Sequence, residues 1–170
     1  MRKIIIQQPE LILVGITVRT NNTNEGNPST AKISPTVQKY FHGALANTIQ
    51  NRKTPGNTYC VYTDYESNAS GEYTYFIGEA ITNITHVPDD LTQLIIPAQT
   101  CAKFTNGPAP MPEVCISAWH DIWGMTPSDL GGQRAYIADF ELYDQRAQDH
   151  QRVELDIYIG IHPNGLNHAS

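Results

Sequence analysis

The chain is short of the residues that nucleic acids and membranes demand. Lysine and arginine number 11 against 17 aspartates and glutamates, for a formal net charge of −6, and no basic run occurs. A free nucleic-acid binder needs a basic stripe to displace phosphate counterions. No direct nucleic-acid partner is therefore expected, and neutral or cationic partners are favoured. No apolar run approaches the ~20 residues of a membrane-spanning helix, so no membrane partner is expected either. Arg2, Lys3 and the three isoleucines after them imitate a signal peptide, but Gln7-Gln8-Pro9-Glu10 breaks the run and no small-residue cleavage site follows. Cysteine is scarce: Cys60, Cys101 and Cys115, an odd number without a CxxC pair. That is a poor framework for disulfides or zinc. Free thiols in a reducing cytoplasm are the simplest reading. Phosphate-binding glycine motifs are absent, and the six histidines show no ligand spacing. No cofactor and no metal are expected.

What is present is enough apolar matter for one core: 40% of 170 residues. Residues 11–20 are rich in Ile, Val and Leu and read as a strand. A polar loop follows to Ser29. Ser34-Pro35 reads as a serine cap before a first-turn proline, and Val37, Phe41, Leu45 and Ile49 continue as an i+4 stripe. Segments 59–66 and 72–81 read as two strands. The order then recurs: a long strand over 93–105, a turn at Asn106-Gly107-Pro108, a helix over 112–123, and strands over 134–143 and 152–161. Short matches support a duplication. Asp64-Tyr65-Glu66 resembles Asp139-Phe140-Glu141, and Phe76-Ile77-Gly78 resembles Tyr158-Ile159-Gly160. The expected fold is α+β: two pseudo-symmetric βαββ repeats with antiparallel sheets, helices on one face and a groove between the halves. The expected organisation is an N-terminal extension over 1–10 and a binding domain over 11–162. Its repeats cover about 11–81 and 91–162, and a flexible tail covers 163–170.

Alternation assigns the faces. Val153, Leu155, Ile157, Ile159 and Ile161 share one apolar face, expected to meet the helices. Tyr136, Ala138, Phe140 and Leu142 are read the same way. The helix-distal face then carries Asp139, Glu141 and Tyr143 with Asp156 and Tyr158, and Tyr62, Asp64 and Glu66 in the first half. Such a face is either ordinary solvated sheet surface or the wall of a groove for a flat organic cation, whose charge aromatic faces attract.

The segments VYTDYESNASGEYTYFIGEAI, IPAQTCAKFTNGP, AWHDIW, ADFELYD and ELDIYIGI, in that order, resemble the effector-binding domain of AraC-type and multidrug-responsive transcription regulators. The same domain stands alone in gyrase-inhibitory-protein-like and integron-cassette members. The resemblance runs from about Val14 to Ile161. It implies two βαββ units around a groove that takes a small organic cation or amphipathic ligand. It also implies a pocket glutamate in a Phe-Glu-x-Tyr segment, matched here by Phe140 to Tyr143, so Glu141 is the first candidate. Trp119, Trp123, Tyr62, Phe76 and Tyr158 are the candidate aromatic walls, and Glu66 is a second candidate acid as the repeat mate of Glu141. Plain core packing of Trp119 and Trp123 stays open. The helix-turn-helix segments of such regulators have no counterpart in the sequence, which leaves sequestration, action through a protein partner or hydrolysis as the outputs of binding.

No catalytic residue is assigned. Ser117, His120 and Asp121 are neighbours on one helix, whereas a triad converges from different elements. Two further readings remain. The resemblance also implies hydrolysis of an electrophilic small molecule, with Glu141 as general base and Tyr62 or Tyr158 supplying an aromatic hydroxyl. Asp64, Glu66, Asp89, Asp90 and Asp144 suit an acidic surface that inhibits an enzyme such as gyrase.

Overall fold

The structure is a computed structural model that describes residues 1–84 and 86–163. The expected tail lies, after Pro163, outside the described residues. Among the described residues eight strands are present: β1 (Arg2–Gln8), β2 (Leu11–Thr20), β3 (Thr58–Thr63), β4 (Tyr73–Ala80), β5 (Thr92–Ile96), β6 (Gln99–Ala109), β7 (Gly132–Tyr143) and β8 (Val153–Pro163). The helices are α1 (Asn22–Glu25), α2 (Ile33–His42), α3 (Glu113–Trp123) and α4 (Pro127–Leu130). Among the described residues no helix is long and apolar enough to cross a membrane.

The order strand, helix, strand, strand occurs twice, as β2-α2-β3-β4 and β6-α3-β7-β8. Pairing of β3 with β7 joins both sets into one antiparallel sheet, ordered β1-β6-β8-β7-β3-β4-β2-β5. The long strand expected over 93–105 is two strands. Pro97 cannot donate to a ladder, and the chain leaves β5 there to begin β6 on the far side of the sheet.

That crossing shapes the molecule. Pro9 and Glu10 alone link β1 to β2, and Pro97 and Ala98 alone link β5 to β6. A linker of this length reaches about 11 Å. In a flat sheet β1 and β2 would lie about 29 Å apart, six strand spacings. The sheet therefore curls until its edges approach. Its inner face becomes a core made of strands only: Leu13, Val61, Phe76, Ile96, Ala138, Phe140 and Tyr158 are all buried there. Phe140 and Tyr158 stack at 4.4 Å.

The outer face carries the helices. Val114, Ala118, Trp119 and Ile122 of α3 pack on Phe104, Leu155, Ile157 and Ile159. Tyr40 of α2 packs with Ile16, Cys60, Tyr75 and Ile77. α2 starts at Ile33, one residue before the serine taken as its cap, and Lys32 offers no side-chain cap. Glu25 does the capping instead, accepting from the backbone N–H groups of Lys32 (2.8 Å) and Ile33 (3.1 Å). The i+4 stripe does not continue as one helix: α2 ends at His42, Phe41 is exposed, and Tyr40 is the helix's buried anchor.

The face assignment is corrected for β7. Glu141 pairs with Ile157 on one side and Cys60 on the other, and Cys60 pairs with Ile77. Directly paired residues share a face. Glu141 therefore points to the helices, and Phe140 points into the inner core. Both faces of this sheet are buried, so apolarity alone does not tell which one the helices cover. The registers also change the repeat alignment. Phe76 pairs with Val61, and Tyr158 pairs with Phe140. With Phe76 matched to Tyr158, the residue matching Glu141 is Tyr62, not Glu66.

Candidate functional site

The helix-facing row across the sheet reads Ile16, Ile77, Cys60, Glu141, Ile157, Phe104. One carboxylate sits in the middle of an apolar row, between the strands that α2 covers and those that α3 covers. It is 4% exposed. Its Oε2 accepts from the Trp119 indole N–H at 2.8 Å and from the Tyr62 hydroxyl at 3.0 Å. Its Oε1 accepts from the Tyr143 hydroxyl at 2.6 Å. Burial, and then the charge of Glu141, push the Tyr62 and Tyr143 phenols and the Cys60 and Cys115 thiols up. All four stay protonated, which keeps the two phenols donors.

Two cavities lie on this face of the sheet, the first of them over the row. One, of about 580 Å³, is walled by Glu141, Cys60, Tyr75, Tyr143, Val37 and Phe41. The other, of about 250 Å³, is walled by Trp119, Trp123, Tyr65, Tyr73 and Ile116. Ile33, Tyr62 and Cys115 line both, so they are neighbouring lobes that share these side chains as a wall. The Tyr62 ring stands at the junction, edge-on to Trp119 at 5.3 Å and to Tyr75 at 5.4 Å. The lips expose apolar side chains: Phe41, Ile116 and Trp123 are each more than half exposed.

Glu141 differs from the other buried acids. Glu79 pairs with Arg52 at 3.2 Å, Asp139 with Arg134 at 2.6 Å and Asp156 with Arg146 at 2.7 Å. Among the described residues no lysine, arginine or histidine pairs with Glu141. A buried charge is costly unless an opposite charge meets it. Three of these acids find that charge within the protein.

The expected site residues separate into two sets. Glu141, Trp119, Tyr62 and Trp123 come together in the groove. Trp119 is both core and wall, with its ring in the α3 core and its N–H on Glu141. Phe76 and Tyr158 lie on the opposite face, fully or nearly buried in the strand-only core and away from the groove. Glu66 is exposed in the loop after β3. Three of the five acids proposed as one inhibitory surface do not lie together. Asp64 and Glu66 follow one end of β3, whereas Asp144 follows Tyr143, which pairs with the other end, and is engaged by Arg146. Sequence reasoning did not select Tyr75, Cys60 or Tyr143 for the groove. Their signal was alternation: they fall on the faces of Ile77, Tyr62 and Glu141. Among the described residues no group of three or more acids, cysteines or histidines is placed to hold a metal.

Residues 4–161 match the family described as Cass2, integron-associated effector binding protein. YobU of Bacillus subtilis (strain 168), whose name proposes a transcriptional regulator, is 26% identical over 147 residues, covering 86% of this chain and 89% of its own. The Vibrio cholerae integron cassette protein VCH_CASS2 superposes with a TM-score of 0.74 at 25% identity, over 94% of this chain and 95% of its own. SAV2435, solved with tetraphenylphosphonium bound, has the same fold at 15% identity, with a TM-score of 0.75 over 99% of this chain and 98% of its own.

Proposed function

The chain belongs to the integron-associated effector binding protein family, and from that premise we propose that it is a receptor for small organic cations. The ligand lies in the groove between α2 and α3, with its charge at Glu141 and its apolar arms against Tyr62, Trp119 and Trp123. One observation carries this reading: of the buried acids, Glu141 has three hydrogen-bond donors and, among the described residues, no cation. The missing counter-charge comes from the ligand. Aromatic faces add about 0.5–2 kcal/mol per ring for a cation, and the lobes supply apolar area. The tetraphenylphosphonium held by SAV2435 is a cation of this type. The protein acts without touching nucleic acid itself, consistent with its excess of acids, and passes the signal to a protein partner. Three free cysteines suit a cytoplasmic setting.

The test is a thermal-shift panel of aryl cations and size-matched neutral compounds. The cations should raise the melting temperature and the neutral compounds should not. Equal shifts from both sets, or none from the cations, would overturn the reading.

A second reading has its own observation, the Tyr62 hydroxyl 3.0 Å from Glu141. A carboxylate and a phenol in a groove are the parts of a general base and an electrophile activator. It predicts water added to an electrophilic ligand, seen by mass spectrometry and lost in Glu141→Gln. Unchanged ligand mass would exclude it.

A further inference from the structure

β1 is an open edge of the sheet. It pairs with β6 along its whole length, from Arg2 opposite Thr105 to Gln8 opposite Gln99, and no strand pairs with its other side. Among the described residues no backbone hydrogen bond closes that outer side. A free row of N–H and C=O groups is a template for another strand, and proteins guard such edges by shortness, proline or charge. The opposite edge is guarded in this way. β5 has five residues, with Asp89 and Asp90 just before it and Pro97 directly after it. β1 has seven residues and no proline among them. Its two cations stand at one end and turn back onto their own chain: Arg2 donates to Glu154 and Lys3 to the Asp129 carbonyl.

Both faces of β1 also present apolar side chains. Ile5 pairs with Ala102, on the helix side of the sheet, and Ile4 pairs with Lys103, on the side of Tyr158. Each isoleucine is about half exposed. An antiparallel strand that merely borders water shows it one polar face. Here the middle of the strand shows water none.

We infer that β1 pairs with β1 of a second copy of this chain, antiparallel about a two-fold axis at Ile5, so that two sheets join edge to edge. In this register all seven residues overlap. Ile5 faces the partner's Ile5 and Ile4 faces the partner's Ile6. Lys3 faces the partner's Gln7 and Arg2 faces the partner's Gln8. Each cation meets an amide, and the like charges stand at opposite ends of the joint. The pairing forms about six to eight backbone hydrogen bonds. It closes after two chains, whereas β1 laid on the β5 edge of another copy would repeat without end. The joint lies on a different strand from Glu141, at the rim of the sheet. It goes beyond the receptor reading and does not depend on it.

The test is sedimentation equilibrium of the full chain from about 1 to about 200 μM. The mass should rise with concentration from 18.9 kDa to twice that value and stop there. Ile5→Lys sets two lysines face to face at the axis. It should weaken the dimer at least about tenfold and keep the circular dichroism spectrum of the wild type. Cysteine replacements decide the matter even if that variant misfolds, because directly opposed Cα atoms lie about 4.5–5.5 Å apart, within disulfide reach. Under mild oxidation Ile5→Cys should yield a covalent dimer, and Gln7→Cys, opposite the partner's Lys3, should yield no more than the wild type. The inference is overturned by a chain that stays monomeric throughout, by growth beyond two chains, by a dimer that a folded Ile5→Lys leaves intact, or by equal cross-linking of the two cysteine variants.

Discussion

Asp139 and Glu141 lie two residues apart on the same strand and face, yet the protein treats them in opposite ways. Asp139 is fully buried and fully matched: Arg134 and Tyr65 donate to one oxygen and the Gly160 N–H to the other. Glu141 is nearly as buried and receives three neutral donors, with no cation among the described residues. The Asp139 cluster ties the start of β7 to β8 and to the loop after β3. The Glu141 cluster opens on a groove. A matched buried charge is part of the scaffold. An unmatched one is held ready for something that arrives from outside.

Substitutions can break this contrast. The largest expected effect is at Arg134. Arg134→Met leaves Asp139 buried without its cation, and should cost about 3–5 kcal/mol of stability in urea denaturation. Glu141→Gln, at the neighbouring site, should cost less than about 1 kcal/mol, because it removes a charge that had no partner. Comparable losses in the two variants would erase the distinction.

The two sheet faces sharpen it next. Phe76→Ala opens a cavity in the strand-only core and should cost about 3 kcal/mol, while cation affinity measured below the melting transition stays within about threefold. A variant that lost binding as well as stability would connect that core to the site.

Trp123 reverses the pattern. It is 54% exposed at the groove lip. Trp123→Ala should leave the melting temperature nearly unchanged and weaken cation binding by about 1–2 kcal/mol, a five- to thirty-fold rise in Kd.

The smallest effect is at Asp144, on the rim of the Glu141 lobe. Burial pushes its carboxyl up, but hydrogen bonds from Arg146 outweigh that and leave it below the ordinary value. A depressed acid adds stability above its unfolded pKa of about 3.9 and loses it as pH falls through the folded value. Asp144→Asn should lower stability slightly at pH 7 and flatten its fall below about pH 4, so that the two curves meet at low pH. An unchanged acid limb would remove Asp144 from the account.

Much of this was legible beforehand. The twice-repeated element order, the α3 boundaries and the apolar face of β8 follow from periodicity. Glu141, Trp119, Trp123 and Tyr62 follow from the resemblance to effector-binding domains. What escaped was the second burial. Nothing local in β7 reveals that the sheet curls and hides its inner face, so Phe140 looked like the helix side and Phe76 and Tyr158 looked like groove walls. The clue was spread along the chain, in prolines at positions 9 and 97 that force two short crossings between the sheet's edges. The Asp-aromatic-Glu match likewise pointed to Glu66, where the strand registers align Tyr62. Glu25 escaped for a different reason: a glutamate that caps a helix eight residues downstream has no fixed spacing to read.

The most direct measurement is calorimetric titration of tetraphenylphosphonium into the wild type and Glu141→Gln, each folded as judged by its own melting curve. The wild type should bind, and the variant should bind at least about tenfold more weakly while retaining its fold. Equal affinity in the two proteins would contradict the claim that Glu141 is the groove's open counter-charge.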